Sequence, residues 1–243
     1  MSGESSLLWL DKMEEHSQLH MRETFTKEIG LLERQISVIS SYVNEIGKLK
    51  RGTQLTIGEL QKSADAKLLC SMVPAFLIFQ ALDNLQAARL NILHGYLSVA
   101  NACLRNVAEA LRWANTAAKN ADVARKWLSG DQYIKPNNFV LAPPVGELMK
   151  QFDRLSKGGS HPLAAARSYS AWAKAEAAAY VNHKVHIAGI RSFLNLTNQV
   201  AANFLFFLVG QFNQVLQKNP LLRGQVSELA KELDAVFGIK FLT

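Results

Sequence analysis

Arg154 and His161 stand with six residues between them, in a segment running from Asp153 to Pro162 that also holds Lys157, Gly158 and Gly159. Histidine titrates near neutral pH and can take or give a proton, while arginine can hold a phosphate bidentately. Together they are the minimum for cleaving RNA without a metal: the imidazole moves the proton and the guanidinium offsets phosphate charge. The paired glycines let backbone come close to a ligand, and Lys157 and Arg167 add positive potential. The plainer reading of His161 is a loop or helix-capping histidine beside Pro162.

Other constellations are more local. Arg105 and Glu109 lie four apart, with Arg112 three further on. At helical spacing they form an ion-pair ladder, or a buried polar link between Arg105 and Glu109 that fixes helix register. In a functional reading, Arg105 lines the same phosphate-binding cleft as Arg154, Lys157 and Arg167. His16 and His20, and His183 and His186, share helix faces as a metal site needs, but no second segment supplies the remaining ligands. No metal site and no cofactor is expected. The phosphate-loop, dinucleotide, zinc-protease and Cys-x-x-Cys signatures are absent. Cys70 and Cys103 sit on apolar stretches and read as inert thiols in a reducing compartment. The tryptophans are not interleaved with Lys or Arg as base-stacking platforms are. Phe76, Phe79, Phe204 and Phe207 read as core more simply than as a pocket for an apolar ligand.

The 243 residues are 49% hydrophobic and 19% charged, with a mean hydropathy of zero. That balance excludes a disordered or collagen-like chain. The net charge is +7, and it has an address. Residues 1–70 and 193–243 are close to neutral, whereas residues 71–130 and 131–192 carry surpluses of +3 and +4. A polyanion such as RNA is the partner this suggests. The apolar stretches Met72–Leu82 and Phe204–Val209 read as buried helices too short to span a bilayer. Met1–Leu10 lacks the basic start of a secretory signal. A cytoplasmic protein without membrane contact is the expectation.

The positioning elements read as helices throughout. Phe25, Ile29, Leu32, Ile36, Ile39, Val43 and Ile46 alternate spacings of four and three, a heptad seam on one long helix over about residues 5–52. The seam fits a bundle helix packed on its own chain, or a contact with a partner helix or a second copy. Thr56 and Glu59 fit a capping box opening a helix that runs to about Val73, and Pro74 kinks that helix or opens the next. Ala75–Leu93 follows, then a turn at His94-Gly95, a helix from Tyr96 to about Ala118, and a short helix capped by Asn120 and closed by Gly130. Residues 131–144 hold three of the six prolines and form the one long irregular loop. Helical patterns resume at residues 145–155, in an alanine-rich stretch after Pro162, at Ile187–Leu216, and at Val226–Phe237 after Asn219-Pro220. No strand pattern appears. The expectation is an all-α bundle of about seven helices in one domain over residues 1–243: long N-terminal helix 5–52, bundle core 53–218, C-terminal helix 220–243.

The spacing of Arg154 and His161 falls within the Arg-x4–6-His pattern of the HEPN superfamily. The run from His94 to Ala110, the helix Arg125-Lys126-Trp127-Leu128 and the segment Leu155–Pro162 also resemble uncharacterised bacterial helical proteins related to it. The resemblance covers roughly residues 75–165. It implies an all-helical fold and, in active members, a metal-independent ribonuclease of toxin or phage-defence type, with Arg154 and His161 as the catalytic pair in a homodimer. Leu155 stands where catalytic members usually carry a polar residue, and Gly158-Gly159 interrupts a motif usually placed on a helix, so a catalytically degenerate relative is equally implied. The alternative from another class is a non-enzymatic interaction or oligomerisation module using the seam of residues 25–46.

Overall fold

The computed structural model describes residues 6–50, 56–130 and 183–238. Among these the protein is all-helical, with nine helices and no strand. They are α1 (Ser6–Thr24), α2 (Thr26–Lys50), α3 (Ile57–Lys62), α4 (Ala66–Leu93), α5 (Leu97–Ala117), α6 (Ala121–Leu128), α7 (His183–Gln211), α8 (Asn213–Lys218) and α9 (Pro220–Phe237). One core cluster draws on α1 to α9.

The expected single N-terminal helix is two, broken at Phe25. Helical bonds carry across the break, from Phe25 N–H to the Met21 carbonyl and from Ile29 N–H to that of Phe25. The Thr26 hydroxyl donates to the carbonyls of both Arg22 and Glu23, and a side chain that competes for helical carbonyls bends the helix. Phe25 itself is fully buried, with the Arg191 guanidinium 5.7 Å from its ring centre. Burial of the ring on one side and hydroxyl competition on the other turn the chain here.

α2 lies between two neighbours. Along α4 its partners run backwards, Glu33 to Arg89 and Ser40 to Gln86, so the two helices are antiparallel. Along α7 the pairs Glu28–Arg191 and Gln35–Asn198 keep one constant separation of 163 residues, so α2 and α7 are parallel and in register. Tyr42 donates its hydroxyl to the Phe212 carbonyl at 3.0 Å, where α7 gives way to α8. α9 closes over α2 through Arg34 and Glu232. All seven seam side chains, Phe25 to Ile46, are buried within this one chain.

The local signals around α3 to α6 hold up, with one correction. Thr56 and Glu59 form the full capping box, the Thr56 hydroxyl accepting from Glu59 N–H and the Glu59 carboxylate from Thr56 N–H. The helix they open stops at Lys62, however, well short of Val73. Asp65 accepts from the N–H groups of Lys67 and Leu68 and starts α4, which continues through Pro74. A local carboxylate cap here outcompetes continuation of the apolar pattern. Gly95 takes the left-handed conformation (φ 81°) in the turn that folds α5 back on α4. Asn120 caps α6 and Gly130 (φ 82°) follows it. The long apolar helix α7 ends at Gln211 rather than at Leu216, and α9 starts at Pro220, six residues before the expected Val226, capped by the Asn219 side chain.

α4 and residues 189–211 of α7 are longer apolar helices than their polar interruptions suggest. By length and composition both could cross a membrane, and 56% of each apolar window is buried inside the protein. A helix surrounded by neighbours needs no polar face, which accounts for the composition of α4, packed on α5, α2, α6 and α1.

Candidate functional site

Arg154, Lys157, His161 and Arg167 lie outside the described residues, as do the Pro-rich loop 131–144 and the alanine-rich stretch. Arg105 and Glu109 are on α5, both half-buried on the flank next to its core stripe of Ala100, Leu104, Val107 and Leu111. Arg112, on the same flank, is held partly out of water: burial pushes its guanidinium down from the usual value, and the Glu109 charge opposes that shift. Arg105 and Arg112 both have interaction partners. α5 therefore carries two partly desolvated cations two turns apart, with one acid between them.

The other candidates are placed as follows, except His183 and His186, whose side chains lie outside the described ones. His16 and His20 are exposed on α1. No group of three or more metal-ligating side chains occurs among the described residues. Burial pushes the Cys70 and Cys103 thiols up, so both stay protonated and unreactive at neutral pH. Phe204 and Phe207 are core, whereas Phe76 is half-buried and Phe79 is 39% exposed.

Packing also creates a site that sequence spacing does not reveal. Between α1, α2 and α4 lies an open cleft of about 510 Å³. Glu33 stands in it between two arginines. Arg22 donates from both terminal nitrogens, Nη2 to Oε1 at 2.9 Å and Nη1 to Oε2 at 3.2 Å. Arg89 donates from Nε at 3.0 Å and from Nη2 at 2.5 Å, both to Oε1. Burial by itself would raise the Glu33 carboxyl; the bonds and charges of Arg22 and Arg89 outweigh it and hold the group below the ordinary carboxylate range. Ile36 and Leu90 give the cleft apolar wall, and Ser37 and Gln86 add neutral polar groups.

Arg22 and Glu33 are eleven residues apart, which on a straight helix is roughly 16 Å of rise, further than the two side chains can reach. They meet because the chain bends at Phe25. One signal in the sequence did point toward Arg89: it is the sole cation in the apolar stretch 75–93, and a cation on a largely buried helix needs an acid.

The fold and these geometries define an all-α bundle with a half-buried cationic flank on α5 and an arginine-lined cleft between α1, α2 and α4. Against known proteins, no family model, no curated protein and no solved structure matches the chain.

Proposed function

We propose that this protein handles RNA, in the manner of HEPN-like helical proteins, through the basic stretch of residues 71–192. The observation that carries the reading is the α5 flank, where Arg105 and Arg112 sit two turns apart and half out of water on the most basic part of the chain. Partly desolvated guanidiniums interact more strongly with phosphate than fully hydrated ones do. In the active form of the reading, His161 takes the proton of the attacking ribose hydroxyl and returns one to the leaving oxygen, while Arg154 offsets the charge gathering on the phosphate. Lys157, Arg167 and Arg105 then hold the strand. The working unit is a homodimer, and no metal or cofactor takes part.

Incubation with total RNA in EDTA, comparing wild type with His161→Ala, tests the catalytic half. Cleavage by wild type that His161→Ala abolishes supports it; no cleavage, or equal cleavage by both, overturns it. RNA binding by Arg105→Ala as a function of salt tests the binding half: each lost phosphate contact reduces the salt slope by about one ion. A partner-helix module built on the residue 25–46 seam is supported less, because a partner would have to displace the chain's own helices from seven buried side chains.

A further inference from the structure

We infer that the cleft between α1, α2 and α4 is a binding site for a small organic monoanion, an apolar or aromatic carboxylate. The inference does not rest on the RNA reading: its argument uses only the cleft's own residues, of which Arg22 and Glu33 lie on the charge-balanced N-terminal helices and Arg89 in the basic stretch. Three observations carry it.

The first is charge. One guanidinium neutralises Glu33, and here two converge on it. Among the described residues lining the cleft, Glu33 is the one acid, so the lining carries a net +1. A monoanion restores neutrality, and a dianion would overshoot it.

The second is hydrogen bonding. Each guanidinium brings five N–H donors, and Glu33 takes two from each. Neither arginine has another acceptor among the described residues. More than half of the donors therefore remain to grip a second carboxylate beside that of Glu33. Arg89 and Glu33 are each less than a third exposed, so they are already partly desolvated and held in place by packing.

The third is shape. The cleft's volume of about 510 Å³ lies within the range of roughly 300–1,000 Å³ typical of small-molecule sites. Its lining pairs the cations with apolar wall. Ile36 is buried and forms floor, and Leu90 is half-exposed although it is a large aliphatic side chain. A ligand with a carboxylate head and a compact apolar body satisfies both halves at once. A purely structural Arg–Glu–Arg tie between helices leaves the extra charge and the spare donors to water alone.

The two readings differ most sharply on Glu33→Gln. If the triad only ties helices together, the substitution loosens the fold and creates no affinity. If the cleft takes a carboxylate, the substitution removes its built-in competitor and frees guanidinium donors, so binding tightens. Calorimetric titration of the full chain with benzoate, with neutral benzamide and phenyl phosphate alongside, reads this directly. Expected are saturable one-site binding of benzoate that weakens with salt, benzamide at least tenfold weaker, and phenyl phosphate no tighter than benzoate. Glu33→Gln should bind benzoate several-fold more tightly, a gain that partial unfolding cannot mimic. Arg89→Gln should lower affinity tenfold or more, and Arg34→Gln, on the far pair with Glu232, should leave it unchanged. Absence of saturable benzoate binding in both wild type and Glu33→Gln, an unchanged or lower affinity in Glu33→Gln, or tighter binding of phenyl phosphate would each overturn the assignment.

Discussion

The Gln35–Asn198 pair should control how α2 sits on α7, and its two members should not be equally sensitive. Both side chains are fully buried. Gln35 donates from Nε2 to Asn198 Oδ1 at 2.7 Å, and its own Oε1 has no hydrogen-bond partner. Asn198 donates from Nδ2 to the carbonyls of Glu28 and Leu194, each at 3.0 Å. Replacing Asn198 by Leu strands the whole Gln35 amide in a dry interface, and a buried polar group left unsatisfied costs about 1–3 kcal/mol. Adding the lost charge-free bonds to α2 and the change of shape, Asn198→Leu should lose roughly 3 kcal/mol. Gln35→Met removes an oxygen that is already unpartnered and leaves Asn198 Nδ2 bonded to two carbonyls, but it strands Asn198 Oδ1; with one atom stranded rather than a whole amide, it should cost about 1–2 kcal/mol, less than Asn198→Leu. The double variant replaces both polar partners with apolar groups of similar size, and should recover most of the Asn198→Leu loss, to within about 1 kcal/mol of wild type. Urea unfolding of the four proteins closes the double-mutant cycle. Additive losses, or an Asn198→Leu cost below about 0.5 kcal/mol, would refute the idea that stranding Gln35 is what hurts.

Three further outcomes follow from the same structure. Tyr42→Phe should cost about 1 kcal/mol, the net worth of a buried hydrogen bond, by releasing the Phe212 carbonyl at the α7–α8 junction; thermal unfolding checks it. Gly95→Ala should cost about 1–2 kcal/mol, because its φ of 81° disfavours any Cβ and that atom would stand 3.2 Å from Ser17 Oγ; the loss should appear in the same unfolding assay, with the α1–α4 contact weakened first. The Glu33 carboxyl is held below its ordinary range, so its contribution is complete above the unfolded-state value and is lost as pH falls through the lowered folded-state value. Wild type should therefore lose more stability than Glu33→Gln on acidification through that range, in melting curves taken across pH.

The caps and turns were legible because their chemistry is local. The Thr56–Glu59 box, the Asn120 cap and the glycine turns at 95 and 130 each join groups within three or four residues, and short spacing in sequence guarantees short distance in space. The interior face of α2 was legible for the same reason, since helical periodicity maps directly onto one side of a helix. Element boundaries inside continuous apolar pattern were not. The stop at Lys62 and restart at Asp65 turn on a carboxylate cap winning over a pattern that reads on unbroken to Val73.

What the chain alone determined is that its described residues are helical, that Thr56 and Asn120 cap helices, which face of α2 turns inward, and that its positive charge gathers between residues 71 and 192. The tertiary structure decided which helices meet. The parallel register of α2 and α7 rests on pairs 163 residues apart, and the arginine cleft rests on a bend at Phe25 together with Arg89, 56 residues from Glu33. No periodicity in sequence encodes such distances. They are fixed by side-chain packing that the chain reaches only when three helices close on one another at once, and that is why the arginines of the cleft stood unremarked until the fold brought them to one carboxylate.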